Sequence, residues 1–178
     1  MITTKPNFFV FTGGGGTGKT TLIRHLQAAG ELVVEENIRA VIRAEVEAGG
    51  RAVPWIDPKA CSDLTTARDT ADFDRLAGES RRVFFDRGLI DMYGANGVAP
   101  SPTLVEAIRT RRYSHRVFVF PPWRNIYRTD AERREDWSQM QAVFEQILHT
   151  LPTLGYEPVV VPTGQIAERA AFVLDRAA

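Results

Sequence analysis

Apolar runs and amphipathic stretches alternate along this chain. Residues 8–12, Phe-Phe-Val-Phe-Thr, form a short aromatic and β-branched run of the kind found in a buried parallel strand. Residues 20–28 follow with Leu22, Ile23 and Leu26 on one helical face, and Gly30 stops them. A second strand is expected at 31–34. A helix is expected at 37–48, where Ile38, Val41, Ile42 and Val46 recur at helical spacing before Gly49 and Gly50. After a loop marked by Pro54 and Pro58, residues 59–78 read as helix, with Leu64, Ala67, Ala71 and Leu76 turned inward.

The second half repeats the rhythm. Strands are expected at 82–86, 115–120 and 156–161. A short helix or turn falls at 88–97, and a helix at 103–112 carries Leu104, Val105 and Ile108 inward. The stripe Trp137, Met140, Phe144, Ile147, Leu148 and Leu151 marks a helix over 135–151. From Gly164 onward, Ile166, Ala170, Val173 and Leu174 mark the last helix. Strands alternating with helices imply an α/β fold with a five-stranded parallel sheet covered on both faces. Right-handed crossovers bring the carboxyl ends of such strands to one rim, where ligands bind.

One stretch on that rim carries chemistry. Gly13, Gly14, Gly15, Gly16, Thr17, Gly18, Lys19, Thr20 and Thr21 fit the phosphate-loop pattern G-x-x-x-x-G-K-[ST], between a strand and a helix as the pattern requires. Glycines let backbone N–H groups turn toward a phosphate chain, and the helix start adds its dipole. Lys19 would reach the outer phosphates and Thr20 would ligate Mg2+.

Asp86 ends the third strand, where an acid that contacts magnesium directly or through water belongs, and Arg87 follows it toward the pocket. Glu36 and Arg39 stand at i and i+3 just past the second strand. There Glu36 reads equally as a base for an attacking hydroxyl or as an exposed acid paired with an arginine. Asp57 reads equally as part of an acceptor pocket or as a helix cap. Residues 121–136 hold Arg124, Arg128, Arg133 and Arg134, expected to form a helical lid whose arginines, Arg128 and Arg133 among them, meet the moving phosphoryl group. Residues 161–164 join the last strand to the last helix and are placed to pack on a nucleotide base, although the turn needs no ligand to explain it. Trp55 and Trp123 read first as core residues, with a place in a pocket wall as the alternative.

Composition narrows the partners. The 178 residues carry zero formal net charge and 44% hydrophobic content, so no whole-molecule field points to nucleic acid or membrane. The single cysteine, Cys61, forms no internal disulfide. No apolar run approaches the roughly 20 residues of a membrane helix. The expectation is a cytoplasmic monomer or homodimer, one domain over 1–178, with a small-molecule phosphate acceptor as partner.

Several motifs together carry a resemblance. Phe11-Thr12-Gly13-Gly14, Glu36 with Arg39, Trp55-x-Asp57-Pro58, Phe84-Phe85-Asp86-Arg87-Gly88 and Pro121-Pro122-Trp123-x-x-Ile126-Tyr127-x-x-Asp130-x-Glu132-Arg133 are those of a small AAA-labelled P-loop domain. That domain is related to the nicotinamide-riboside kinase part of a bacterial NAD-biosynthesis regulator. The chain also resembles nucleoside and nucleotide kinases through Asp86-Arg87 and the arginine-rich segment. The departures are Gly15 where proline is common, and Glu35, a second candidate base, where a small residue or proline is common. The resemblance implies a three-layer P-loop fold of strand order 2-3-1-4-5. It implies nucleotide binding, and with the site residues read above the expectation is a kinase that uses ATP and Mg2+, with Lys19, Asp86 and Glu36 catalytic and Glu36, Arg39, Asp57 and Arg87 on the substrate. The alternative is a nucleotide-dependent switch or plain ATPase. The guanine-reading Asn-Lys-x-Asp tetrapeptide is absent from the sequence, which weighs against an ordinary GTPase.

Overall fold

The computed structural model describes residues 1–94, 97–124 and 137–178. In chain order its first half comprises β1 (Thr3–Thr4), β2 (Phe8–Thr12), α1 (Lys19–Ala28), β3 (Leu32–Val34), α2 (Asn37–Glu47) and α3 (Pro58–Arg75). Then come β4 (Val83–Asp86), a 3-10 turn (Leu89–Met92), α4 (Pro102–Thr110) and β5 (Arg111–Arg112). The chain continues through β6 (Arg116–Val119), α5 (Trp137–Thr153), β7 (Glu157–Val160) and α6 (Ile166–Arg176).

Strand β2 is buried at every position and lies at the centre of a five-stranded sheet ordered β3-β4-β2-β6-β7. Every pairing in that sheet is parallel, so the expected fold class and strand order both hold. Alternation along β2 seeds two cores, one on each face. Phe8 and Val10 join Phe73, Phe85, Leu104, Ile108 and Tyr113. Phe9 and Phe11 join Leu22, Leu26, Phe84, Phe118, Phe120 and Val173. Aromatic rings do much of the filling: Phe8 meets Phe73 edge-on at 5.2 Å, and Phe11 meets Phe120 at 5.0 Å. The same alternation in β4 puts Asp86 on the side of Phe84, facing the start of α1.

Five expectations are corrected. On α3, Leu64, Ala67 and Ala71 face solvent, while Cys61, Thr65, Thr66, Asp69 and Phe73 are buried. The polar members of that face are satisfied internally: Thr65 donates to the Cys61 carbonyl, Thr66 to that of Ser62, and Asp69 accepts from Asn37. With its polar groups paired, the helix turns Phe73 into the aromatic core. On α4 Val105 is exposed and Ala107 takes the inward place beside Leu104 and Ile108; on α2 Val46 is exposed. Trp55 is 67% exposed rather than core. The helix expected to reach 112 stops at Thr110 because Arg111 and Arg112 pair with Thr3 and Thr4 in a small parallel sheet that the sequence reading missed.

The α3 correction is testable by chemical denaturation. Phe73→Ala should cost about 3–5 kcal/mol, whereas Leu64→Ala on the same helix should change stability by about 0.5 kcal/mol or less. Similar losses at both positions would restore the original face.

Candidate functional site

The rim at the strands' carboxyl ends gathers the chemistry. Leaving β2, Gly13 adopts φ +137°, and a Cβ there would lie 2.5 Å from the Phe120 carbonyl oxygen, so only glycine fits. The loop ends at Gly18, left-handed at φ 82°, which caps α1. The Lys19 ammonium donates to the carbonyls of Gly13 (2.8 Å) and Gly14 (2.6 Å) and to the Thr17 hydroxyl (3.3 Å). Burial, reinforced by the charge of Arg87, pulls Lys19 down to about 7.

Asp86 reaches this loop from β4. Its Oδ2 accepts from the Thr20 hydroxyl at 2.9 Å, while Oδ1 is buried with no partner among the described residues. Burial raises the Asp86 carboxyl above its ordinary value. A buried carboxylate oxygen without a partner is costly, and a hard cation would relieve it. A hydroxyl and a carboxylate on adjacent elements fit Mg2+, which is held by one or two carboxylates with substrate phosphates completing its shell. Among the described residues no cluster of three or more His, Cys, Asp or Glu makes a self-contained metal cage.

Arg87 comes next in the chain and is the one described non-glycine residue at positive φ, 70°. Its Nε donates to Glu36 at 2.6 Å and its Nη1 to Asp91 at 3.3 Å. Asp91 also accepts from the Thr12 hydroxyl (2.5 Å) and from the Gly88 amide (3.0 Å). Burial alone would lower the Arg87 guanidinium, but the charges of Asp91 and Glu36 outweigh it and the value rises. Burial pushes the Asp91 carboxyl up, against the pull of Arg87. Glu36, at the N-cap of α2, places its second oxygen 2.8 Å from Arg39 Nε.

This cluster forms one end of a cavity of about 240 Å3. Gly13, Gly14 and Gly15 close it on the loop side, and Ile38, Ile90, Tyr93 and Ile147 supply apolar walls. A second groove, of about 360 Å3, lies on the other side of the loop against Gly16, Gly18 and Thr21. Its walls are Trp123, Gly164, Ile166 and Arg169. Arg169 is buried, with its guanidinium 5.5 Å from the Trp123 ring and donating to the carbonyls of Thr17 and Pro162. Trp123 is therefore a pocket wall rather than a core residue.

The residues expected at the site separate into three groups. Residues 13–21, Glu36, Asp86 and Arg87 come together on the rim. Arg39 touches it only through Glu36, its side chain 64% exposed, and Asp57 caps α3 by accepting from the Ala60 amide, away from the cavity lining. Arg128 and Arg133, with most of the expected lid over 121–136, lie outside the described residues.

Sequence reasoning missed Asp91, Asn37, Asp69 and Arg169. The i,i+4 spacing of Arg87 and Asp91 was a usable signal, as was a lone arginine on the apolar face of α6. Asp69 accepts from Asn37 Nδ2 at 2.9 Å, and the same amide donates to Asp72 at 2.9 Å. Burial lifts Asp69 to about 7, opposed by the Asn37 hydrogen bond and helped by Asp91, Asp72 and Glu36.

A glycine-rich loop between a buried strand and a helix, a lysine inside it, and a strand-ending acid on the helix's first hydroxyl define a P-loop domain. The family model described as an AAA domain matches residues 8–169, and the chain belongs to that family. No curated protein matches it. Among solved structures it is similar to thymidylate kinase from Ehrlichia chaffeensis, with TM-score 0.63 and 14% identity over 99% of this chain and 98% of that one. It is also similar to deoxyadenosine kinase from M. mycoides, with TM-score 0.58 and 13% identity over 95% and 97% of the two chains. Shikimate kinase from Acinetobacter baumannii, solved with shikimate, gives TM-score 0.52 and 19% identity over 98% and 93%. At these identities the likeness is one of fold.

The Asp69 environment predicts a pH effect. Between about pH 4 and 7 the folded chain keeps a proton that an unfolded aspartate gives up, so stability falls as pH rises through that window. Asp86 and Asp91 shift in the same direction and steepen the slope. Asp69→Asn should remove its share, gaining a few kcal/mol over the unaltered protein at pH 8 but little at pH 4. Denaturant titrations at both pH values check this; parallel pH profiles would contradict it.

Proposed function

We propose that this protein is an ATP- and Mg2+-dependent kinase acting on a small hydroxylated metabolite such as a nucleoside or nucleotide, with residues 1–178 working as one domain. One observation carries the reading. The cavity that ends in Glu36, Arg87 and Asp91 shares its wall with the phosphate loop, so a donor phosphate and an acceptor hydroxyl can meet at Gly13, Gly14 and Gly15. A switch or plain ATPase has no need of that second compartment. The kinase names of the structural neighbours support the same class.

In this reading Lys19 and the loop amides hold the β- and γ-phosphates, and the Trp123–Arg169 groove takes the base. Thr20 and Asp86 hold Mg2+, which when bound neutralises charge on the phosphate oxygens. Glu36 orients the acceptor hydroxyl and receives its proton, while Arg87, fixed by Asp91, steadies the incoming oxygen. The acceptor oxygen bonds to the γ-phosphorus as the bond from that phosphorus to the bridging oxygen breaks, and ADP leaves with the bond's electron pair. The protein contributes mainly position and electrostatics, which is what phosphoryl transfer requires.

Transfer of label from γ-labelled ATP to an organic acceptor, in a panel of hydroxylated metabolites, tests the reading. Tight ATP binding with no labelled acceptor would return the protein to the switch or ATPase class. Lys19→Ala should lower turnover by about 10²-fold or more while the thermal melt shows an intact fold. Asp86→Asn should raise the Mg2+ concentration needed for half-maximal rate by about 10- to 100-fold, and an unchanged requirement would remove Asp86 from the metal site.

A further inference from the structure

Arg169 does more than wall the groove. It sits on α6 and is 3% exposed, yet its guanidinium reaches the phosphate loop, 152 residues earlier in the chain. Nη2 donates to the Thr17 carbonyl and Nε to the Pro162 carbonyl, each at 3.1 Å. The rings of Phe120 and Trp123, 5.1 and 5.5 Å away, pack around it. Burial pulls the guanidinium below its ordinary value. An apolar side chain would fill the same space without the cost of burying a charge. What the charge supplies is a fixed grip on one peptide of the loop.

That grip has a stereochemical consequence. In a planar trans peptide the C=O and N–H point in opposite directions. The 17–18 peptide is trans, so committing the Thr17 oxygen to Arg169 turns the Gly18 N–H away from α6. Gly18 is left-handed at φ 82° and Lys19 is the first helical residue, an alternation that gathers successive N–H groups into an anion-binding nest. The Gly18 N–H thereby joins the first amides of α1, which a helix leaves open at its N-terminus. The reversed peptide is cheap for the backbone, because Gly18 has no Cβ to forbid it. It would offer the phosphates a carbonyl oxygen in place of a donor. The Thr17 side chain is anchored as well: its hydroxyl donates to the Gly14 carbonyl at 3.1 Å and accepts from the Lys19 ammonium at 3.3 Å.

We propose that Arg169 is a positioning residue for the phosphate loop: it holds the Thr17 carbonyl outward, so that the Gly18 N–H faces the triphosphate. It acts on the donor through the loop backbone, and groove and loop share one side chain. This rests on the triphosphate-binding half of the reading above and not on any acceptor.

The probe is tripolyphosphate with Mg2+, which has neither base nor sugar and so meets the loop without the groove. Calorimetry on Arg169→Met should show tripolyphosphate affinity lowered by about tenfold or more, as for the loss of a charge-assisted hydrogen bond. ATP affinity should fall at least as far. Arg169→Lys keeps the charge but not the fork, and its affinity should lie between the two. The Gly18 amide signal, followed by heteronuclear NMR, should move when tripolyphosphate is added to the unaltered protein and move less in Arg169→Met. Loss of packing alone would not change that response. An Arg169→Met protein that loses affinity for ATP but not for tripolyphosphate overturns the inference, because the side chain would then serve only the base. An undiminished Gly18 response overturns it too, as does an Arg169→Lys protein that binds no better than Arg169→Met. If Arg169→Met does not fold, the unaltered protein decides, and a Gly18 amide indifferent to tripolyphosphate contradicts the proposal. Failure of every acceptor removes the kinase reading and leaves this inference standing. An unaltered protein that binds neither tripolyphosphate nor ATP overturns both.

Discussion

The Arg87 guanidinium, held between Glu36 and Asp91, ties together the parts of the rim that sequence keeps far apart. Glu36 begins α2, Arg87 leaves β4, Asp91 lies in the 3-10 turn, and Asp91 is in turn bonded to Thr12 at the end of β2. Arg87 reaches both acids from a left-handed backbone, φ 70°, a strained conformation for a side chain of its size. Removing Arg87 would leave the two carboxylates without their shared cation, a loss of about 3–5 kcal/mol in comparable sites. The same cluster therefore fixes the geometry of the cavity.

On the loop side, burial works against every charge at once. Lys19 is drawn down to about 7 and Asp86 is raised, in each case chiefly by burial, which the opposite charge of the other only partly offsets. Phosphate oxygens beside Lys19 would restore its proton, and a divalent cation beside Asp86 would deprotonate it. Both changes reward the binding of a magnesium-triphosphate pair. Preformed donors in a water-poor site are the main resource of a catalyst for phosphoryl transfer. The Arg169 guanidinium, packed near Trp123 and Phe120, gives the opposite side of the loop a firm wall for a flat ring.

The sheet, its order and the phosphate loop were legible because strong local signals carried them. The buried run at 8–12, the loop pattern and the acid at the end of the third strand each depend on neighbours in sequence. The face of α3 was not legible. Burial of Thr65, Thr66 and Asp69 becomes acceptable only once Asn37 and helix carbonyls satisfy them, and that pairing is tertiary. Trp55 was misread for a related reason, since a large aromatic side chain says nothing of whether a partner surface reaches it. Asp91 was passed over although its i,i+4 spacing from Arg87 is local, because its bond to Thr12 forms only once the strands align.

The central claim is that loop and cavity form one site for two substrates. A bisubstrate analogue, adenosine joined through a polyphosphate bridge to a nucleoside, tests it most directly by equilibrium binding with Mg2+. Linking the halves should give an affinity about 10²-fold or more above that of the ATP half alone, with both ATP and the free nucleoside displaced. An analogue that binds no better than ATP, and leaves nucleoside binding untouched, would show that the cavity is not the acceptor half of the site.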